Sequence, residues 1–357
     1  MVFFRKNTDR LPEFLDPLQV KDVRRLLRQK KAGSFFAVTK TSFLERAAYP
    51  QLNSLRPDRN VLAYVEDINA IIRARAFESL YYSFSHQAYA VLSSALCAKV
   101  GFEDRALARA ITCQIAGSFP VHILVLTDDH SLKHAIMESV KACSPVYEMT
   151  GPGKPLVAEK KGKELSFGII PKSHDGILII PDLGNEKKLT PIISAMDYGK
   201  VEYDGAMIPA RASVLAFAEP RGLKLITRSL DILRRQLPCN AAVLSRFHLV
   251  FVVGKTPGVW ERRRLSDDDM SFVRGFLSFV KRHKVSFSER YDPLVEKFMK
   301  LARSDENHFV IDITEKTAAG IKRLSGARAQ LFLREQVLEE DVKDVLALVR
   351  DSLYKIG

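Results

Sequence analysis

The chain changes texture twice along its 357 residues. Up to about residue 95 the apolar positions recur at helical spacing. Val20, Val23, Leu26 and Leu27 share one stripe, and so do many residues of the stretch 76–97. Pro50, Asn53, Pro57 and Asp58 interrupt this region with turn chemistry. From about residue 100 the pattern alternates. An amphipathic segment, 101–117, leads into the apolar run 122–127, and a second helical segment follows at 131–142. Further apolar runs lie at 146–150, 176–182, 213–219 and 247–253. Near-continuous apolar runs separated by helices predict a parallel sheet covered on both faces, with ligands at the carboxyl ends of its strands. Beyond residue 267 the chain reads as helical again. Asp267, Asp268 and Asp269 suit a helix start, and Val342, Val345, Leu346, Val349 and Leu353 form the apolar face of the last helix. The expected organisation is a small helical domain over 1–95, an α/β core over 96–266 and a helical lid over 267–357.

Composition supports a globular chain: hydrophobic residues make up 46% and charged residues 27%, unlike a disordered or membrane protein. No apolar run approaches the roughly 18–20 residues of a spanning helix. The first ten residues lack the apolar stretch of a secretory signal, so a cytoplasmic location is expected. Cys97, Cys113, Cys143 and Cys239 are scattered without a C-x-x-C pair, which predicts buried thiols rather than a zinc ribbon or a disulfide framework. No metal site is expected. His130 and His134 are four apart, but Ser131 stands where a zincin pattern needs glutamate. Thr150-Gly-Pro-Gly-Lys154 has the look of a phosphate loop, yet Pro155 follows where Ser or Thr is required, which reads as a glycine loop.

The net charge of +13 favours encounters with phosphate backbones. The basic residues cluster at 20–31, 158–164, 260–266 and 280–285. Each cluster is equally readable as a solvated helix face or loop. Lys133 follows an apolar run and a short turn, the place of a P-loop lysine. Thr127 and His130 stand where such a loop needs glycines, and His134 stands where it needs a magnesium-binding hydroxyl.

Several blocks, in one order, resemble the MCM family of replicative DNA helicases. The stretch 99–117 is similar to that family's Gly-Tyr/His-Glu-Asp segment. Residues 122–136 stand where it has a strand and a Gly-Asp-Pro-Gly-Thr-Ala-Lys-Ser loop. SAMDYGKVEYDGAMIPARASVLAFAEPRG (194–222) resembles its Ala-Met-Glu…Ala-Asn-Pro stretch, LPCNAAVLSRFHLVFVV (237–253) its Leu-Leu-Ser-Arg-Phe-Asp block, and 311–353 its helical lid. The likeness spans about 99–357. It does not extend to the family's N-terminal zinc and OB-fold region or to its C-terminal winged helix. The resemblance implies an AAA+ P-loop-type parallel sheet with helices on both faces, a helical C-terminal lid and a small helical N-terminal domain.

It also implies a degenerate nucleotide site. Lys133 keeps the Walker A lysine, within a loop of Thr127, Asp128, Asp129, His130, Ser131 and His134. Pro181 and Asp182 replace the Walker B Asp-Glu. Glu219 replaces the sensor 1 asparagine, and Lys316 replaces the sensor 2 arginine without its bidentate fork. Arg246 matches the arginine finger, acting in trans on a neighbour's nucleotide. ATP and Mg²⁺ are the cofactors the family implies, with binding here expected to be weak or absent. A carboxylate about 4 Å from a phosphate charge costs roughly 1 kcal/mol in water and about 4 at an effective dielectric of 20. A micromolar ligand has only about 8 kcal/mol in total.

The implied partners are DNA, bound electrostatically through Lys160, Lys161, Lys163 and Lys200, and other MCM subunits of a ring, with no membrane. Gly205 takes the place of the family's DNA-contacting hairpin lysine. The reading is thus a DNA-binding, MCM-like protein deficient in its own ATP hydrolysis. Its alternatives are an active helicase with unconventional nucleotide ligands and a scaffold that binds neither nucleotide nor DNA.

Overall fold

The computed structural model describes residues 78, 80–94, 105–161, 164–184, 186, 189–222, 225, 230–254, 267–305, 309 and 311–353. The stripe at 20–27, the loop signals at 50–58, Cys97, Lys163 and the basic run 260–266 lie outside them. Contacts divide the chain into two units, Met1–Phe84 and Ser85–Gly357. In the first, residues 78 and 80–84 are described and are helical. The second holds the sheet and the C-terminal helices.

Its centre is a five-stranded sheet built from the five apolar runs. In chain order the elements are α1 (Arg105–Ala116), β1 (Ile123–Leu126), α2 (His130–Cys143) and β2 (Tyr147–Met149), then β3 (Ala158–Lys161), β4 (Glu164–Phe167), α3 (Ile169–Lys172) and β5 (Ile177–Ile180). Next come α4 (Leu189–Tyr198), β6 (Lys200–Tyr203), β7 (Ala206–Pro209) and β8 (Ser213–Ala218), followed by α5 (Leu230–Gln236), α6 (Ala241–Leu244) and β9 (Leu249–Val252). The sheet order is β2-β5-β8-β1-β9, and every pairing is parallel. β1, β5, β8 and β9 are buried at every position, as expected for strands covered on both faces. β2, at one edge, is short and partly exposed.

β1 is the first strand of the sheet in sequence yet lies inside it, between β8 and β9. This is where successive strands depart to opposite sides, and such a switch opens a crevice at the carboxyl ends. At the opposite edge the ladder ends are tied by side chains. Gln114 donates to the carbonyls of Val121 and Val214, and Ser213 Oγ accepts from Val121 N. His122 Nδ1 accepts from Val214 N at 3.2 Å, and His248 Nδ1 accepts from His122 N at 2.9 Å. The two buried rings lie 4.9 Å apart. Burial above all, then the nearby Arg323 charge, holds His122 down to about 3; burial, with the charges of His122 and Arg323, holds His248 well below the usual imidazole range.

The C-terminal helices are α7 (Asp267–Arg282), a 3₁₀ turn at Glu289–Tyr291, α8 (Asp292–Ser304), α9 (Glu315–Leu331) and α10 (Glu339–Leu353). Small residues let α9 approach the core. A Cβ at Gly320 would stand 2.8 Å from His248 Cβ, and one at Gly117 would stand 3.0 Å from Ala327 Cβ. The buried carboxylate of Asp341 ties α9 to α10, accepting from Arg328, from Arg334 and from Leu338 N at the start of α10. Arg328 also lies over the Tyr89 and Phe332 rings.

Two details differ from the sequence reading. The apolar face of α10 runs through Val342, Val345, Leu348 and Val349, while Leu346 is only half-buried, because the contact stripe turns with the true helical period. Within the basic run 158–164, Ala158–Lys161 form β3 and Glu164 starts β4, strands of an antiparallel ribbon rather than a helix face or loop. β6 and β7 form a second ribbon whose turn, Asp204-Gly205, has positive φ at both residues (50° and 76°), the conformation of a tight two-residue hairpin.

Candidate functional site

Four segments expected at a nucleotide site do arrive at the carboxyl edge of the sheet. Thr127–His130 follow β1, Pro181 and Asp182 follow β5, Glu219 follows β8, and Lys133 stands in the first turn of α2. The loop after β1, however, is built as a helix cap. Asp129, with extended backbone (φ −96°, ψ 97°), accepts from Ser131 N at 2.9 Å and Leu132 N at 3.0 Å. Those are the amides a P-loop would offer to phosphate. Buried Thr127 accepts from Asp129 N through Oγ1, and Asp128 Oδ2 accepts from Leu225 N. No residue from 127 to 131 has positive φ, so the glycine conformation that wraps phosphate is not adopted by other residues either.

Lys133 is spoken for as well. Its Nζ lies 2.6 Å from Glu219 Oε1, and its side chain is mostly buried. The His130 ring reaches the same oxygen at 3.4 Å. Asp182 Oδ1 closes a local turn by accepting from Gly184 N at 3.0 Å, and Pro181 offers no ligand atom. His134 and Ser131 face solvent. These residues do not fit a magnesium nucleotide: the helix amides hold a carboxylate, the lysine holds another, and an acidic side chain stands on the phosphate side.

Arg246 and Lys316 are not part of this group. Arg246 stands just before β9, at the amino-terminal edge of the sheet, and Lys316 opens α9. Both converge on Asp197, in the last turn of α4. Arg246 Nε donates to Asp197 Oδ2 at 3.0 Å, and Lys316 Nζ pairs with Oδ1. Burial would raise the Asp197 carboxyl, but the Lys316 and Arg246 charges and hydrogen bonds outweigh it and hold it below the ordinary carboxylate range. Lys316 thus leaves the Lys133 site to which the sequence reading assigned it, because α9 packs at the other edge. Asp197 was overlooked there, although it is the only acidic residue of the stretch 189–201.

Of the four lysines expected at DNA, Lys160 is exposed on β3 and Lys200 is exposed at the start of β6. Lys161 lies in β3 with its side chain outside the described set. The two ribbons keep Lys160 and Lys200 on separate hairpins. Lys160 is paired in register with Leu165, and Ala158 with Phe167, so these four residues share one ribbon face. Leu165 and Phe167 are exposed. Among the described residues no three His, Cys, Asp or Glu side chains are grouped to hold a metal, and no helix is long and apolar enough to cross a membrane.

No family model matches the chain. It is similar, at 23% identity over 274 residues, to the DNA replication licensing factor mcm-6 of Caenorhabditis briggsae, covering 66% of this chain and 34% of that protein. The minichromosome maintenance protein MCM of Saccharolobus solfataricus is 24% identical over 272 residues, 66% of this chain and 39% of its own. An uncharacterised MCM-type protein of Methanocaldococcus jannaschii is 22% identical over 284 residues, 66% and 40% respectively. The chain therefore spans between a third and two fifths of the length of these relatives. With the parallel five-stranded sheet, its helical flanks and the helical C-terminal region, all consistent with an AAA+-like fold, these likenesses identify the chain as a distant homologue of the MCM proteins.

Proposed function

We propose that this chain is an MCM-like AAA+ subunit of DNA replication that binds DNA non-specifically and does not hydrolyse ATP at its own site. The Lys133–Glu219 ion pair carries the reading. Phosphoryl transfer in this fold needs a lysine on the phosphates, magnesium held by a hydroxyl and a carboxylate, and a positioned water. Here the lysine is neutralised internally, the hydroxyl position is His134, and the carboxylate position is Pro181. Asp129 adds a second internal competitor by occupying the amides of α2. Each carboxylate facing phosphate subtracts roughly 1–4 kcal/mol from a total near 8 for a micromolar ligand, so tight nucleotide binding is not expected. Arg246 is assigned to a neighbouring MCM subunit's nucleotide, because a finger works on its partner's site and is indifferent to the loss of its own chain's. DNA binding is assigned to the net charge of +13 and to the exposed Lys160 and Lys200.

The deciding experiment measures nucleotide binding and ATP turnover by the purified chain, alone and mixed with an active MCM protein. Negligible turnover alone, with altered turnover in the mixture that depends on Arg246, is expected. Magnesium-dependent turnover by the chain alone, abolished by Lys133→Ala, would establish the active helicase instead. Absence of any DNA binding at low salt would leave only the scaffold.

A further inference from the structure

Helix α8 turns Val295, Met299 and Ala302 into the C-terminal bundle, where all three are buried. Leu294 and Leu301 stand off that buried stripe, seven residues apart and so two turns along one face. Leu294 is half-buried and Leu301 is 59% exposed. At the start of the same face lies a cavity of about 610 Å³, lined by Arg290, Tyr291, Pro293, Leu294, Lys297 and Glu339. Single exposed leucines are ordinary on a protein surface, but a formed cavity beside them marks a site. Its volume falls within the roughly 300–1,000 Å³ usual for ligand pockets. The cavity is built on fixed aromatic packing: Tyr291 is buried, with its ring edge-on to Phe287 at 6.1 Å. Leu338, which precedes Glu339 in the chain, adds another apolar side chain that is 39% exposed.

The charges of the lining point to the occupant. Arg290 lies over the Tyr291 ring, 4.6 Å from its centroid, and donates to Tyr291 Oη at 2.5 Å, so its guanidinium is held at the cavity. Lys297 is exposed and, among the described residues, has no ion-pair partner. The neighbouring acids are already paired, Glu339 with Lys343 and Asp292 with Lys322, both at 2.7 Å. We propose that the cavity and the outer face of α8 dock an extended acidic segment of a partner protein, with one apolar side chain in the cavity beside Leu294 and carboxylates against Arg290 and Lys297. The two turns from Leu294 to Leu301 cover roughly 10 Å. Residues three apart in an extended peptide cover roughly the same length. Two apolar residues at that spacing reach the cavity and Leu301, and acidic residues between and beside them meet the cations. A nucleic-acid strand fits less well, because its charges recur about every 3.4 Å and would fall on Leu294, Leu301 and Glu339 as often as on the cations. The lining shares no residue with the Lys133 crevice or the Asp197 group, so this surface serves a partner whatever becomes of nucleotide.

The test is fluorescence anisotropy of the full chain with a labelled peptide, Glu-Asp-Phe-Asp-Glu-Leu-Asp-Asp. Lys297→Glu should weaken binding about tenfold, and Leu301→Ser about fivefold. Both positions are exposed, so the urea midpoint of each variant should match that of wild type. Alanine in place of the peptide's phenylalanine should cost about tenfold. Lys154→Glu, the same charge change on an exposed loop outside the lining, should leave the affinity within about twofold. Absence of binding at about 1 mM peptide overturns the proposal. So does a loss in Lys154→Glu as large as that in Lys297→Glu, since the attraction would then come from the overall charge of +13. A thymidine oligonucleotide that displaces the peptide and itself binds worse to Leu301→Ser would assign the face to nucleic acid. Self-association in sedimentation that both variants abolish would assign it to a second copy of the chain. Either result also overturns the proposal.

Discussion

Lys133 Nζ lies 2.6 Å from Glu219 Oε1, joining the first turn of α2 to the end of β8 across the crevice where a nucleotide would sit. The counter-ion of this lysine is a carboxylate of the chain itself. A second carboxylate, that of Asp129, occupies the amides of the same helix. The two contacts are complementary: the lysine and the helix amides at the crevice each hold a carboxylate of this chain.

Removing one of those anions should therefore partly reopen the crevice. Glu219→Asn is expected to raise the affinity for ATP, measured by fluorescence of a labelled nucleotide, by about tenfold or less, since Glu219 is 40% exposed and solvent screens the pair. Adding Lys133→Ala should cancel the gain. Turnover should stay negligible, because Pro181 and His134 are untouched. A gain indifferent to Lys133 would mean that the ion pair is not what excludes nucleotide.

Asp129→Ala should cost about 1 kcal/mol, the ordinary loss of a side-chain N-cap. The measurement is the urea midpoint at an unchanged slope. Stability equal to wild type would show that water caps α2 equally well.

The C-terminal helices depend on Asp341, which is wholly buried between Arg328 and Arg334. Asp341→Ala removes the buried anion that both guanidinium groups share, leaving Arg328 with Asp344 and Arg334 with Glu340, and a loss of about 1–3 kcal/mol is expected. Chemical denaturation reads it directly. A loss below about 1 kcal/mol would assign the helix contacts to apolar packing alone.

Acid should weaken the molecule through His122 and His248. The folded chain holds His122 near 3, whereas an unfolded histidine titrates near 6.5. Between those values the unfolded state binds a proton that the folded state refuses. The stability is therefore complete above about pH 6.5 and declines as pH falls toward 3. The slope is about 1.4 kcal/mol per pH unit for one such group, and His248 adds in the same direction. Protonation at Nδ1 would also remove the acceptor that Val214 N uses. His122→Asn, whose amide oxygen takes the Nδ1 position, should flatten the profile from pH 7 to 5. An equally steep profile in that variant would place the acid sensitivity elsewhere.

DNA affinity should fall linearly with the logarithm of salt concentration. Lys160→Ala and Lys200→Ala should each reduce that slope by about 1, without any change in sequence preference. A slope unaffected by both substitutions would remove these lysines from the interface.

Much of the architecture is written locally. Buried strands need apolar side chains on both faces, so Ile123–Leu126, Ile177–Ile180, Ser213–Ala218 and Leu249–Val252 stand out as runs before any partner is known. Helices announce themselves by a period of 3.6, which is why α2 begins and ends within a residue of where the pattern places it. The lack of glycines in the loop after β1 is equally local, because residues 127–131 are read directly from the sequence.

Only the tertiary structure decided which charged groups pair with Lys133, Arg246 and Lys316. Lys133 and Glu219 are 86 residues apart and Asp197 and Lys316 are 119 apart, and parallel crossovers carry the chain across the sheet between them. No periodicity encodes which charges such crossovers bring together. The likeness to MCM proteins put Lys316 and Lys133 in one site, and the docking of α9 against the amino-terminal edge put Lys316 beside Arg246 instead. The β3–β4 ribbon has no apolar run to mark it, because Leu165 and Phe167 are its only large apolar side chains and both stay exposed on a two-stranded hairpin with little to bury. Sequence determined the layers of this protein, since burial is a property of each residue's own chemistry. Its charge pairs were decided by the fold, since a counter-ion is defined only by what else arrives within about 4 Å.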